Sequence, residues 1–234
     1  MGAGTLEILP VRGFGEIGPG ERLGQLIARQ APVRDGDVVV VTQKVVSKAE
    51  GRIVGLDAHD PLAKRRIVEA ESVRILRRRG ELIISETRHG FVCANAGVDL
   101  SNVPEGRAVL LPIDPDRSAR RIRDIVRAEA GVEVAVVISD TFGRPWRRGL
   151  TDVAIGCAGI AAVLDLRGER DALGRELHAT EICIADEVAA AAELVMGKAS
   201  GVPVAIVRGL DPSLFREASV HDEVVRAPRD DLFR

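Results

Sequence analysis

Residues 139–147, Ser-Asp-Thr-Phe-Gly-Arg-Pro-Trp-Arg, are the part of the chain richest in side chains able to do chemistry. Asp140 and Thr141 set a carboxylate beside a hydroxyl, directly after the apolar run 134–139 and so at the carboxyl end of an expected strand. Oxygen donors of this kind suit hard divalent cations such as Mg2+ or Mn2+, and Arg144 and Arg147 suit phosphate or carboxylate oxygens. The combination points to phosphoryl chemistry; the alternative is a helix cap by Asp140 with two surface arginines. Residues 42–48, Thr-Gln-Lys-Val-Val-Ser-Lys, put Lys44 and Lys48 at the end of another buried strand, where open α/β sheets gather their ligands. An ammonium there is a point charge for phosphate. An ordinary surface role fits Lys44 better than Lys48, which stands beside Ser47 in a segment read as too polar for the core and too short for a helix. Residues 97–102 carry Asp99 and Asn102 in a turn, taken alone most simply an Asx turn.

Gly13, Gly15 and Gly18 match the GxGxxG spacing and follow a strand. Pro19 and Gly20 interrupt the helix start that a dinucleotide site needs, and the next strand runs into Gln43 and Lys44 with no acidic residue for a ribose. A tight turn and a nucleotide pocket lined by free backbone N–H groups both stay open. No GxxxxGKS or GxxxxGKT sequence exists, which excludes a P-loop, and no GxSxG elbow marks a serine hydrolase. His59, His89, His178 and His221 form no zinc-type cluster.

These groups have to be held by a folded domain. An apolar fraction of 46% over 234 residues supports a core in one large domain or two small ones. The formal net charge of -2 and an aromatic content of 3% leave neither a basic field nor stacking platforms for nucleic acid. Cys93, Cys157 and Cys183 are odd in number and far apart, the pattern of reduced thiols in a cytoplasmic protein. Residues 1–5 show no secretory leader, and no apolar run nears the roughly 20 residues of a membrane span.

The expected elements are a strand at 6–11, an amphipathic helix with Leu23, Leu26 and Ile27 on one face, and a doubly buried strand at 37–42. A basic helix opening at Pro61 is expected to end near Arg77, Arg78 and Arg79 before Gly80; its charge reads as a solvated face. Residues 109–113, 115–130 and 134–139 read as strand, helix and strand of one βαβ crossover. A strand with a hairpin excursion over 153–176, an alanine-rich helix at 185–196 and a strand at 202–207 follow, then a polar tail that wraps the surface.

Taken together, residues 9–11, 41–48, 97–102, 139–144 and 196–198 with 207–209 resemble the coenzyme F420-0:L-glutamate ligase family, over essentially the whole chain. Five motifs in the right order are far more specific than any one. The resemblance implies an α+β (mixed α/β) globular fold of the family's own type with a βαβ-like unit, in an intertwined homodimer. It implies a single ligase domain over 1–234, the stand-alone form without a C-terminal nitroreductase-like domain. The implied activity is GTP-dependent amide ligation of L-glutamate, and then of γ-linked glutamates, to coenzyme F420-0 or its dehydro form through an acyl phosphate. Matched motif by motif, Phe14, Gly15, Glu16, Ile17, Gln43, Lys48 and Asn102 would bind GTP. Asp99, Asp140 and Thr141 would hold two divalent ions, Mg2+ or Mn2+, with K+ as a further cation. Lys48 and Asp140 would act on the phosphoryl group, and Arg144 and Arg147 would grip acidic substrate groups. Several relatives carry Gln where this chain has Lys198, and a protonated lysine is no metal ligand. A nucleotide-binding regulatory protein without turnover is the rival; it would keep the glycine-rich turn and Lys48 but have no use for Asp140.

Overall fold

The computed structural model describes residues 4–57 and 59–233; residues 1–3 of the N-terminal segment read above, and Arg234 at the close of the resemblance, lie outside the described residues. The chain runs β1 (Glu7–Val11), α1 (Leu23–Gln30), β2 (Val38–Thr42), α2 (Gln43–Ala49), β3 (Ile53–Gly55), α3 (Ala63–Ala70), β4 (Ser72–Arg79), β5 (Leu82–Thr87), β6 (Val92–Ala94) and β7 (Arg107–Val109). It continues with α4 (Pro115–Ala130), β8 (Ala135–Arg144), β9 (Arg147–Ala158), β10 (Leu164–Asp165), β11 (Glu181–Ile182), α5 (Ile184–Met196), β12 (Val204–Arg208) and α6 (Val220–Glu223). The fold is mixed α/β, as expected.

A five-stranded sheet in the order β1-β12-β2-β8-β9 forms the centre. Strands β2 and β8 are parallel, Val38 opposite Ala135 through Thr42 opposite Ser139, and the other neighbours are antiparallel. Helices α1 and α4 cover one face, packing Leu23, Ile27, Ala119, Ile122 and Val126 on Val39, Val41, Val136 and Ile138. Helix α5 covers the other, packing Ile184, Val188, Ala192 and Met196 on Val38, Val40, Ala135 and Val137. The unbroken valine run of β2 is thus buried on both faces, as its composition required. Sheet β4-β5-β6 and ladder β3-β7 form a side unit around Val68, Ile83, Ala108 and Leu110.

Four expectations are corrected. The basic helix stops at Ala70, and residues 72–79 are β4, whose arginines pair with Glu69 and Glu86; Gly80, at φ +57, turns a hairpin instead of ending a helix. Alternating Val73 and Ile75 beside a β-branched partner strand outweigh the helical propensity of the arginines. The crossover is not the one read from the sequence: β7 lies in the side unit with β3, and β2 is the parallel partner of β8. Residues 43–49 form helix α2, with Ser47 and Lys48 buried, because Gln43 and Ser47 satisfy one another inside. Finally, β8 does not stop at Ser139; it carries Asp140 and Thr141 into a hairpin with β9, so Asp140 caps no helix.

The start of α4 lies directly on β9. An added Cβ at Gly156 would come 2.4 Å from the carbonyl carbon of Pro115 and 2.6 Å from its oxygen. Gly156→Ala is expected to destabilise the fold by about 1–3 kcal/mol, since backbone on both sides must give; urea unfolding of the variant checks this.

Candidate active site

Where β2 ends, α2 begins and meets the glycine-rich turn that precedes α1, while the parallel neighbour β8 continues past Ser139. Two turns of helix, α2, leave β2 and bury Lys48 to 5% exposure. Its ammonium pairs with Glu16 of the glycine-rich turn, a largely exposed carboxylate, and Gly20 N–H donates to Ala49 O at 2.8 Å. The turn is therefore laid across α2, with Gly15 and Glu16 exposed and Ile17 and Phe14 anchored in the core. Strand β1 pairs antiparallel at the sheet edge, and α1 starts only at Leu23 without an acceptor cap, so the dinucleotide reading fails structurally too. Gln43 is 2% exposed and spends its amide hydrogens on Ser47 Oγ (2.8 Å) and Leu110 O (3.0 Å), a use that fixes α2 against the side unit.

Asp99 sits in the expected Asx turn: the Ser101 N–H donates to its carboxylate at 2.7 Å, and its backbone bridges to Val109. Lys44, read as an ordinary surface residue, is 2.9 Å from Asp99 and donates to Ser101 Oγ at 2.7 Å. Burial opposes ionisation of Asp99, but the Ser101 amide and the Lys44 ammonium outweigh it and hold the carboxyl below its ordinary range. Asp140 is the opposite case. Burial pushes its carboxyl up to about 7, and the charges of Asp152 and Asp99 add to the push against the Thr141 amide and Lys198. The structure so brings Asp99 and Asp140 into one field, although they are 41 residues apart by their numbering.

Asp152 was missed by sequence reasoning. It lies opposite Thr141 in the β8-β9 hairpin, is 2% exposed, and accepts from Ser139 Oγ (3.0 Å), Thr141 Oγ1 (2.5 Å) and Lys198 Nζ (3.1 Å). Only the register of the hairpin reveals it. Glu193, also missed, is 3.6 Å from Lys198; burial, with Asp152 close by, raises its carboxyl. Asn102 is exposed and in the left-handed region at φ +54. Arg144 and Arg147 face one another at the exposed hairpin end, and Arg144 lies four residues beyond Asp140, about 13 Å along the strand. Arg144 donates to Arg148 O at 3.2 Å. Burial pushes all three cysteine thiols up to about 12, so none is a ready nucleophile at neutral pH.

Asp99 and Asp140 themselves offer oxygen ligands, Asp99 already paired with Lys44, and Asp140 has no ion-pair partner among the described residues, which fits a hard divalent cation. Among the described residues no three His, Cys, Asp or Glu side chains converge into a finished cage, so a bound ion would draw its remaining ligands from water or substrate oxygens, as Mg2+ commonly does. Among those residues, too, no helix is long and apolar enough to cross a membrane.

A mixed α/β sheet, with two lysines on the helix that follows β2 and Asp140 on its parallel neighbour β8, defines the class of the protein. The sequence pattern of the F420-0:Gamma-glutamyl ligase family matches residues 13–209. The coenzyme F420:L-glutamate ligase of Methanopyrus kandleri is 46% identical, with 100% of this chain and 99% of that protein covered. Ligases of the same name from Methanothermobacter thermautotrophicus and Methanocaldococcus jannaschii are 43% and 42% identical, covering 98% and 91% of this chain and 99% and 90% of their own lengths. The chain belongs to the F420-0:gamma-glutamyl ligase family.

Proposed function

We propose that the chain is a GTP-dependent ligase that joins L-glutamate to coenzyme F420-0, or to its dehydro form, by an amide bond and then extends it with γ-linked glutamates. The observation that carries the reading is the pairing of both α2 lysines with carboxylates, Lys44 with Asp99 and the buried Lys48 with Glu16 of the glycine-rich turn, while Asp140 on β8 lies within the field of Asp99. Ammonium groups on α2 and a buried carboxylate on β8 without an ion-pair partner among the described residues match a triphosphate and the cation that accompanies it.

The acceptor carboxylate attacks the γ-phosphorus of GTP, GDP leaves, and an acyl phosphate results. The neutral amino group of glutamate then attacks the acyl carbon, inorganic phosphate leaves, and the ammonium formed loses a proton to solvent. In this scheme the glycine-rich turn, Phe14 to Ile17, presents backbone N–H groups to phosphate oxygens, while Gln43 holds the start of α2 rigid. Lys48 adds positive charge where the transferred group gains negative charge. Asp99, Asp140 and Thr141 would hold two divalent cations, Mg2+ or Mn2+, with K+ as a further ion; bound there they would neutralise phosphate oxygens. Asn102, beside the Asp99 turn, would bound the nucleotide, and Arg144 and Arg147 would pair with acidic substrate groups that reach the hairpin. The preference for guanine follows the resemblance. A cytoplasmic homodimer with no nucleic-acid or membrane partner is part of the same proposal, supported by three free, widely spaced thiols and the near-neutral charge.

The test is phosphate release from GTP with Mn2+ or Mg2+, L-glutamate and the F420-0 acceptor, with mass spectrometry of the product. Release and a glutamylated product that require every component support the ligase; GTP binding with no turnover supports the regulatory protein instead.

A further inference from the structure

Successive residues of a strand face opposite sides of the sheet. Val136 and Ile138 of β8 pack under α1 and α4, and Val137 packs under α5. Continued along the strand, this alternation puts Asp140 on the α4 side, as Phe142 also packs there, and Ser139 and Thr141 on the α5 side. The site therefore has oxygen groups on both faces of β8, close enough that Asp152 and Lys198 still act on Asp140. Asp99 and Asp140 belong to one cluster. Thr141, Asp152 and Glu193 belong to the other, where Lys198 follows the C-terminus of α5.

Each cluster sets one ammonium against two carboxylates, but the ammonium is placed differently. On the α5 side the Lys198 ammonium is 3.1 Å from Asp152 and 3.6 Å from Glu193, so a cation already stands between the two carboxylates. Asp152 is 2% exposed, and a buried carboxylate requires such compensation. The proton of Thr141 is committed to Asp152 at 2.5 Å. On the other side Lys44 pairs with Asp99 alone, at 2.9 Å, and Asp140 has no ion-pair partner among the described residues, Lys198 reaching it only at longer range. A free ion entering between Asp152 and Glu193 would have to displace Lys198 from both carboxylates; an ion entering beside Asp140 would meet a carboxylate that no ammonium contacts among the described residues.

The structure assigns to Lys198 the part of a tethered cation: its ammonium fills the Thr141–Asp152–Glu193 cluster, so each chain takes one divalent ion, at Asp99 and Asp140, instead of two. This rests on the proposed ligase reading and changes its cation requirement. The ammonium side chain is 59% exposed, so its charge also reaches the mouth of the site, where phosphate oxygens would lie. Because Lys198 is delivered by the end of α5 and Asp152 by β9, the tether also links the helix to the hairpin.

The experiment is Mn2+ binding to the intact protein without nucleotide, counted by electron paramagnetic resonance of free Mn2+, for wild type, Lys198→Gln and Asp140→Asn. Wild type is expected to bind one ion per chain, Lys198→Gln two, and Asp140→Asn none. Lys198→Met, which removes the charge without offering an oxygen ligand, is expected to bind the second ion more weakly than Lys198→Gln. Two ions on the wild-type chain, or one on both wild type and Lys198→Gln, would overturn the assignment while leaving the ligase reading intact. Absence of Mn2+ from both would overturn the metal site of the ligase reading and the tether with it. Circular dichroism of each variant separates loss of a site from loss of the fold.

Discussion

Asp140→Asn is expected to lower turnover of GTP by about 10³-fold or more, the several kcal/mol that a carboxylate-held cation contributes to a phosphoryl transition state. The same substitution is expected to make the metal-free protein more stable at pH 8. Burial has raised the folded carboxyl to about 7, well above its unfolded value, so ionising Asp140 disfavours the folded state. That penalty is absent below the unfolded value near pH 4, grows as pH rises, and is fully present above about 7. The gain in melting temperature should therefore appear at pH 8 without added cation and vanish at pH 4. Divalent cation should stabilise the wild type at pH 8 and leave Asp140→Asn little changed. A variant both inactive and no more stable at pH 8 would mean that Asp140 is held by contacts other than those described. The position would exemplify a functional residue maintained at the expense of stability.

Lys48→Met carries the second large effect. The four-carbon stem of Lys48 lies in the packed interior of α2, and only its ammonium reaches Glu16. Methionine keeps the volume of the stem and removes the charge, so folding stability should change by less than about 1.5 kcal/mol. The Glu16 carboxylate, largely exposed, remains solvated. Catalysis should respond differently: kcat/KM for GTP is expected to fall about 10²–10³-fold, the loss typical of one well-placed donor to developing charge. Phosphate release measured against GTP concentration, together with urea unfolding, separates the two quantities. Wild-type kinetics in Lys48→Met would remove the glycine-rich turn and α2 from the nucleotide site. A fall in kcat/KM accompanied by a large loss of stability would show that the ammonium serves the fold as well as the phosphates.

Both predictions concern residues that could be picked out in the sequence, and the reason is local. Asp140 follows an apolar run and Lys48 comes shortly after a valine strand, so residue type and position along the chain were enough to mark them. The same holds for the buried β2, the amphipathic α1 and α4, and the alanine-rich α5, all set by periodicity over neighbouring residues. Local reasoning failed where two outcomes were close in intrinsic preference. Residues 72–79 could follow their arginines into a helix or their Val73 and Ile75 into a strand, and pairing with β5 decided it. Residues 43–49 looked too polar to pack, and the interior bonds of Gln43 to Ser47 and Leu110 let them do so.

What the sequence by itself determined is the set of elements with strong periodicity, the mixed α/β class, the absence of a P-loop, and the motifs that mark the family. Tertiary structure alone decided which strand runs beside β8, since parallel pairing joins segments almost a hundred residues apart and leaves no local trace. It also decided the partners of the site. Asp152 meets Thr141 through hairpin register, Lys44 meets Asp99 across a loop, and Lys198 meets both Asp152 and Glu193 from the end of α5. Each of these contacts depends on distances between elements, which a one-dimensional pattern of residue types does not encode, and together they set the charge that a ligand would meet.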